Sequence, residues 1–419
     1  MPSSRIARAT QALLTDPQKS RMSLESRCRV DGVLAEKHYL RDRAAADGHK
    51  TVCDMNTFTI QTSIDAILQA RLALDHDGRP CLRHSTPASW DRPLPIRCQP
   101  HEPYQENIAQ TPPFTSPDFL LSIPDGLVLK QHRSPLCMDC RTREIFCHPA
   151  MDGAFVRDEN TWRSVFCNLN ASHSVRLEGS CLLLDSRFGK EFYHFYVSVI
   201  GRIASYLSFD RFLDRVNYFI LPEPVAHVIA WADLLRIPQS KRVFLAEQTA
   251  VHADELLVPQ HIDHIDYRTI AFLRNHLLNH AQGTRQHARN RIYISRSRSA
   301  NGRHILNEED VVARVLRPRG FEVVYFEAMS LGEQAACMAN AECVIAAHGA
   351  GLTNLVFCQP GTRVLEIFTP KWIVFCFARL GSMLGLPCYY HVGEAAHGRE
   401  VILPVDVFEN VVDDFLGRG

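Results

Sequence analysis

The run Cys343-Val344-Ile345-Ala346-Ala347-His348-Gly349-Ala350-Gly351-Leu352-Thr353-Asn354-Leu355-Val356-Phe357 sets the tightest limit on how this chain folds. An apolar stretch ends in small residues, passes two glycines and enters a second apolar stretch. This is the pattern of a strand turning into a helix, and such a turn leaves backbone N–H groups free to meet a ligand. Glycine lets a ligand approach the backbone closely. His348 adds a side chain that donates to an anionic oxygen or changes charge near neutral pH. The turn suits a phosphate or a sugar. The alternative is that the glycines only permit a tight corner.

Strands and helices alternate on both sides of this turn. Upstream, 126–129, 181–184, 216–221, 242–246 and 255–258 read as strands, and 191–207, 224–235 and 266–280 as helices. A second set starts at Arg291, with strands at 291–296, 321–326, 343–346 and 364–368. Asn307 opens a helix with Glu308, Glu309 and Asp310 in its first turn, where acids suit the helix dipole, and Gly320 ends it. Ser330 and Glu333 have capping-box spacing. The stretch 372–390 reads as a buried helix and strand. Alternation of this kind predicts parallel sheets with helical crossovers. A helix is expected at 62–74, and the proline-rich 85–113 reads as a linker or surface loop.

The length, 419 residues, exceeds one compact core and predicts two domains with an extension. The expected boundaries are an N-terminal extension at 1–115, a first Rossmann-like domain at 116–284, a second at 285–390, and a C-terminal strand and helix at 391–419. With 46 basic against 46 acidic residues, the chain lacks the excess cation that nucleic acid binding rests on. The first ten residues carry Arg5 and Arg8 without an apolar core, so no secretory signal is read. A cytoplasmic location is expected, and the 14 cysteines read as reduced thiols. Cys137-Met138-Asp139-Cys140 followed by Cys147-His148 outlines a zinc site, but no second CxxC pair completes it, and no metal is assigned.

Three places in the second set put polar residues where strands end, and ligands bind beyond the carboxyl ends of such strands. Ser295-Arg296-Ser297-Arg298 with Arg303 offers guanidinium groups for a diphosphate, or is a solvated basic loop. His348, Gly349, Ala350 and Gly351, with Thr353 and Asn354, form the turn described above. Glu366 sits inside Val364-Leu365-Glu366-Ile367-Phe368, where an unpaired carboxylate is costly. It would accept ribose hydroxyls or pair with an arginine. The turn is not GxGxxG and lacks the downstream ribose acid, which argues against a dinucleotide-dependent oxidoreductase. Upstream, His194 in Phe192-Tyr193-His194-Phe195-Tyr196 is a general base or a core histidine. Asp185 after the strand at 181–184 is a reserve base.

Taken in order, Arg291-Ile292-Tyr293-Ile294-Ser295-Arg296, Asn307-Glu308, Gly320-Phe321, Gln334, His348-Gly349-Ala350-Gly351-Leu352-Thr353-Asn354 and Glu366-Ile367 resemble the family 61 glycosyltransferases. Tyr193-His194-Phe195 resembles that family's upstream aromatic–histidine motif, although Glu191-Phe192 stands where an Asn often precedes the Tyr. The resemblance covers about 180–390, most strongly 290–370. It implies an α/β, GT-B-like fold with two Rossmann-like domains facing a cleft. It implies inverting, metal-independent transfer of a hexosyl or pentosyl unit from a nucleotide sugar to a hydroxyl of a glycan or glycosylated acceptor. The nucleotide sugar is the donor substrate, and no cofactor is implied. Carried over, Arg296 binds the diphosphate with Arg303 as helper, and His348, Gly349, Ala350 and Gly351 line the pocket beside Thr353 and Asn354. Glu366 holds the ribose, and His194, with Asp185 in reserve, activates the acceptor. The chain looks more like the bacterial members tied to capsular or other surface polysaccharide synthesis, with peripheral association at a membrane assembly system. A non-catalytic nucleotide-sugar or glycan binding protein is the competing expectation.

Overall fold

The computed structural model describes residues 59–61, 82–83, 96–97, 118–131, 133–146, 174–206, 215–247, 249–262, 265–278, 290–299 and 302–417. The expected helix at 62–74, nearly all of 85–113, Cys147 and His148 lie outside the described residues. The described part is a mixed α/β structure with two main sheets.

The first sheet contains β1 (Thr59–Gln61), β2 (Leu82–Arg83), β4 (Asp118–Gln131), β5 (Ser134–Asp139), β6 (Glu144–Phe146), β7 (Ser174–Leu183), β8 (Tyr218–Pro222), β9 (Arg242–Leu245) and β10 (Ala250–Pro259). Its order is β1-β6-β5-β4-β10-β7-β8-β9, with β2 paired to β4. Strands β10, β7, β8 and β9 are parallel, as alternation predicts. The expectation of a parallel sheet fails for β4, β5 and β6, which form an antiparallel meander with β10 on its other side. The reason is the short connections Gln131–Ser134 and Asp139–Glu144, which leave no room for a crossover helix.

This sheet doubles back on itself. Leu129 pairs with Ala250, and Ala250 with Ser174. Ser174 lies eleven residues before Asp185 (185 − 174) along β7 and its extension. A straight strand would separate these levels by roughly 35 Å. Yet Lys130 Nζ donates to Asp185 Oδ2 at 2.7 Å, and both side chains are buried. The crease falls where a side chain is unwelcome. A Cβ at Gly126 would overlap Leu256 Cβ and Ile123 O. Gly179 has φ +91, and the β10–β7 register shifts between Ala253 and Glu255. Beyond the crease, Val128, Cys137, Val251 and Ala253 pack onto Cys181, Leu183, Ile220 and Leu245. The alternate residues Leu120, Leu182, Leu221 and Leu257 face helices on the other side.

Those helices are Ala226–Leu234, Tyr267–Leu277 and an interrupted helix. The last runs as one α turn at Phe192–His194, a π turn at Phe195–Val199 and an α segment at Ile200–Tyr206. All five residues of the π turn are buried. Asp266 caps Tyr267–Leu277 by accepting from Thr269 N–H at 2.7 Å.

The second sheet has β12 (Phe321–Val324), β11 (Asn290–Ile294), β13 (Ala341–Ala347), β14 (Arg363–Phe368), β15 (Cys388–Val392) and β3 (Ile96–Arg97) in that order, all parallel. The N-terminal 1–115 thus supplies strands to both sheets. Ser330 and Glu333 form the expected capping box on Leu331–Ala339. Asn307 binds Leu403 in both directions, Nδ2 to O at 2.7 Å and Leu403 N–H to Oδ1 at 3.1 Å. That clamp seats the C-terminal helix Val405–Leu416, whose Phe408, Val411, Val412 and Phe415 cover Val315, Leu316, Cys343 and Leu365. The other face carries Leu352, Leu355, Val356 and Phe357 of the 3-10 helix Ala350–Phe357. These join Phe195, Ile270 and Leu273 of the first sheet's helices in one continuous apolar cluster. Arg274 fastens the seam by donating to Val356 O and Cys358 O at 2.5 and 2.6 Å. Among the described residues no helix is long and apolar enough to cross a membrane.

Lys130→Met strands a buried carboxylate and should cost about 3–5 kcal/mol in urea unfolding, whereas the double variant with Asp185→Leu should recover much of that loss. Gly126→Ala should cost about 1–3 kcal/mol by overpacking the crease. An unshifted midpoint in either single variant contradicts the doubled-back sheet. His227 gives a pH signature. It lies edge-on to Phe192 and Phe195, its Nε2 is buried without a partner, and burial lowers its pKa from 6.5 to about 4. The unfolded chain protonates this ring first. Its contribution to stability is therefore present above pH 6.5 and lost as pH falls toward 4. His227→Phe should flatten that part of the stability–pH curve.

Candidate functional site

The second sheet changes direction between β11 and β13, because the chain leaves β11 toward β12 on one side and later returns to β13 on the other. Such a switch point opens a crevice beyond the strand ends. Two segments enter it, Ser295-Arg296 from β11 and His348-Gly349 from β13.

Arg296 is held from below. Glu308 accepts from Tyr293 OH at 2.6 Å and from Ser295 Oγ at 3.0 Å, fixing the end of β11. Arg296 Nη2 donates to Ser299 Oγ and Gly302 O, both at 3.2 Å. Its Nε is buried without a partner, and so is that of Arg303, a residue in left-handed backbone at φ 61. Burial, then the nearby Arg303, push the Arg296 guanidinium down to about 10. Burial and then Arg399 lower Arg303. Among the described residues no carboxylate forms an ion pair with either. Glu327 and Glu366 act on them only from beyond ion-pair contact, and two cations held together in this way make a strong anion site.

Gly349 has a steric reason to be glycine. Its φ of 176 is ordinary extended backbone, but a Cβ there would overlap Arg296 Nη1 and crowd Cζ. The guanidinium therefore lies against the bare backbone of the turn. Gly351 differs, since a Cβ there would make only ordinary contacts, 3.4 Å to Ile294 and 3.5 Å to Phe326. Ala350 and Gly351 begin the 3-10 helix, where backbone N–H groups lack intrahelical partners.

His348 and Glu366 are one unit. His348 Nδ1 lies 2.6 Å from Glu366 Oε1, both side chains are nearly inaccessible, and the ring is sandwiched by Phe368 and Phe377 at 5.3 and 5.4 Å. Burial raises the Glu366 pKa, while His348 and Arg303 oppose it. The sequence suggested ribose or arginine as the partner of Glu366. In the structure its first partner is His348, so a ribose would share the carboxylate. The pairing fixes the ring and leaves Nε2 as the nitrogen not held by Glu366.

Thr353 and Asn354, read from the sequence as pocket residues, are 0 and 1% exposed. Asn354 Nδ2 donates to Gln334 Oε1 at 2.9 Å, and Gln334 donates to Phe326 O and Met329 O. Asn354 braces the 3-10 helix from behind rather than lining the crevice. Thr353 borders a hollow of about 10 Å³ with Tyr193, Cys376 and Arg379, room for one water.

The turn Phe192–His194 packs against the 3-10 helix Ala350–Phe357. Tyr193 meets Phe377 edge-on at 5.5 Å, and Phe377 touches His348, so the aromatic motif reaches the switch point through one ring. His194 lies 5.1 Å from the ring of Phe188. Beyond the ends of β7, β8 and β9 a cavity of about 360 Å³ is lined by Lys130, Arg133, Phe188, Lys190, Glu223 and Glu247. Asp185, the reserve base, is fully enclosed. Its Oδ2 takes Lys130 and its Oδ1 takes Ser186 N–H at 2.8 Å. Burial raises its pKa against those partners. It supports the doubled sheet and has no oxygen facing an acceptor. The sequence did not flag Arg399 or Phe377. Each lies beyond the motif in a stretch with no chemical spacing of its own, and only the fold brings them to Arg303 and His348.

Gly349→Ala should displace Arg296 and weaken nucleoside diphosphate binding about tenfold, equivalent to about 1.4 kcal/mol. Gly351→Ala should leave binding nearly unchanged. Isothermal titration of both variants compares them, and equal losses would refute the steric account.

No curated protein matches the chain. A family model described as Glycosyltransferase 61 matches residues 192–365. The match starts at the aromatic–histidine turn, spans Arg296 and the His348-Gly349 corner, and stops one residue short of Glu366. Residues 192–365, which build the switch point and the turn packed on it, are thus similar to the glycosyltransferase 61 family.

Proposed function

We propose that this protein transfers a sugar from a nucleotide sugar to a hydroxyl of a glycan or glycosylated acceptor, with inversion and without a metal in the transfer step. The reading extends to a GT-B-like division of labour, with the donor on the second sheet and the acceptor on the first. It also places the protein in the cytoplasm in surface polysaccharide synthesis. The observation that carries the donor assignment is Arg296 lying on Gly349 at the switch point, beside Arg303 and with no carboxylate in ion-pair contact among the described residues.

The reaction forms a bond from the acceptor oxygen to the anomeric carbon as the bond from that carbon to the diphosphate breaks. The leaving diphosphate takes the electron pair, and its growing charge meets Arg296, Arg303 and the free N–H groups of Ala350 and Gly351. His348, held by Glu366 through Nδ1, adds a donor at Nε2 when the ring carries both protons. In-line attack brings the acceptor from the opposite face, where His194 takes the hydroxyl proton. The cavity beside Phe188 supports an acceptor on that side.

Thermal shift with UDP, GDP, CMP and TDP tests the donor half. A fitting nucleotide at a hundred times its Kd should stabilise the wild type by about 2.7 kcal/mol and leave Arg296→Ala unmoved. His194→Ala should lower kcat by about 10²–10⁴ with the donor Kd unchanged. Donor binding without product in the wild type would make the protein a nucleotide-sugar binder. Absence of binding to every nucleotide would remove the transferase reading.

A further inference from the structure

We propose that Asp125, Cys140 and His252 form a zinc site that pins the crease of the first sheet. Asp125 lies in β4, Cys140 directly follows β5, and His252 lies in β10, so three neighbouring strands each give one residue. Gly126 pairs with both Asp139 and Ala253; this sets Cys140 across from Asp125, while His252, whose own register partner is Leu127, reaches Asp125 diagonally. One ligand atom from each of the three lies within 4.8 Å of the others. A carboxylate oxygen, an imidazole nitrogen and a thiolate sulfur form a donor set suited to zinc, whose ligands sit about 2.0–2.3 Å from the ion. All three residues are half-buried, which leaves access for a water as fourth ligand.

The backbone is shaped for this. Asp125 holds left-handed backbone at φ 50, a conformation that aspartate adopts more readily than most non-glycine residues. Cys140 N–H donates to Asp125 O at 3.0 Å, tying two of the ligands together through the main chain. His252 Nε2 already lies 2.8 Å from Asp125 Oδ1, and this gap opens by about half an ångström to span an ion. The CxxC spacing in the sequence suggested Cys137 as the companion of Cys140. Cys137 instead packs in the core between the sheet's layers, and the companions of Cys140 come from positions 125 and 252.

One group competes with the ion. Arg176 Nη1 lies 3.0 Å from His252 Nδ1 and 3.5 Å from Asp125 Oδ1, while its Nη2 donates to Asp254 Oδ1 at 3.0 Å. Zinc on Nε2 puts a proton on Nδ1, which then faces the guanidinium donor. Arg176, whose side chain is mostly exposed, must swing away. A glutamine at this position would remove the charge and offer an acceptor to Nδ1–H, the arrangement that outer-shell partners of zinc histidines provide.

Titrating Zn²⁺ alone into the metal-free full chain against a chromogenic chelator, with Co²⁺ as optical probe, tests the site. The wild type should bind stoichiometric zinc, and its cobalt form should show thiolate charge transfer. Cys140→Ser should abolish that band, and Cys140→Ser and His252→Gln should each weaken zinc by at least about tenfold, while Arg176→Gln strengthens it. Circular dichroism establishes that each variant is folded. Should either ligand variant fail to fold, the wild-type cobalt spectrum and Arg176→Gln decide. No stoichiometric zinc, a cobalt spectrum without thiolate character, or Arg176→Gln binding no tighter than wild type overturns the proposal.

Discussion

A carboxylate in a central parallel strand must find a partner inside the protein, and Glu366 finds His348. The strand on one side of it, β13, ends at that histidine, and the strand on the other, β15, completes the wall. Because the pair neutralises the interior, β14 can run as an apolar strand through the middle of the sheet. Because the pair fixes the imidazole, the corner after β13 has one conformation. Gly349 then presents bare backbone to Arg296, and the 3-10 helix starts where its first N–H groups face the crevice. Removing the carboxylate would disturb the sheet and the corner together.

The anion site follows the same economy. Arg296 and Arg303 repel each other and are taken partly out of water, which costs free energy in the ligand-free chain. On the proposed reading, that cost is a reservoir that an arriving diphosphate would release. Ser299, Gly302 and the Glu308 network already hold the loop.

Much of this was legible in the sequence because it was local. The capping box at Ser330, the closing Gly320 and the strand at 341–347 followed from short-range rules. The second sheet's parallel order agreed with the alternation that announced it. What the sequence concealed was long-range. The crease at Gly126 depends on a contact between Lys130 and Asp185 that no periodicity signals. Asn354 looked like a pocket residue because it sits in a motif, but the helix it belongs to turns it inward toward Gln334. Glycines gave a mixed lesson. Gly349 mattered for space rather than for backbone angle, and Gly351 mattered for neither.

The apolar cluster runs without a break from the helices of the first sheet, through the 3-10 helix after His348, to the helix Cys376–Leu384. Two sheets joined in this way share their cooperativity. Loosening either exposes the seam that holds the other, so the pair should melt in one transition whose calorimetric and van't Hoff enthalpies agree. A nucleotide bound wholly on the second sheet would then protect amides in the helices of the first, although it touches none of them.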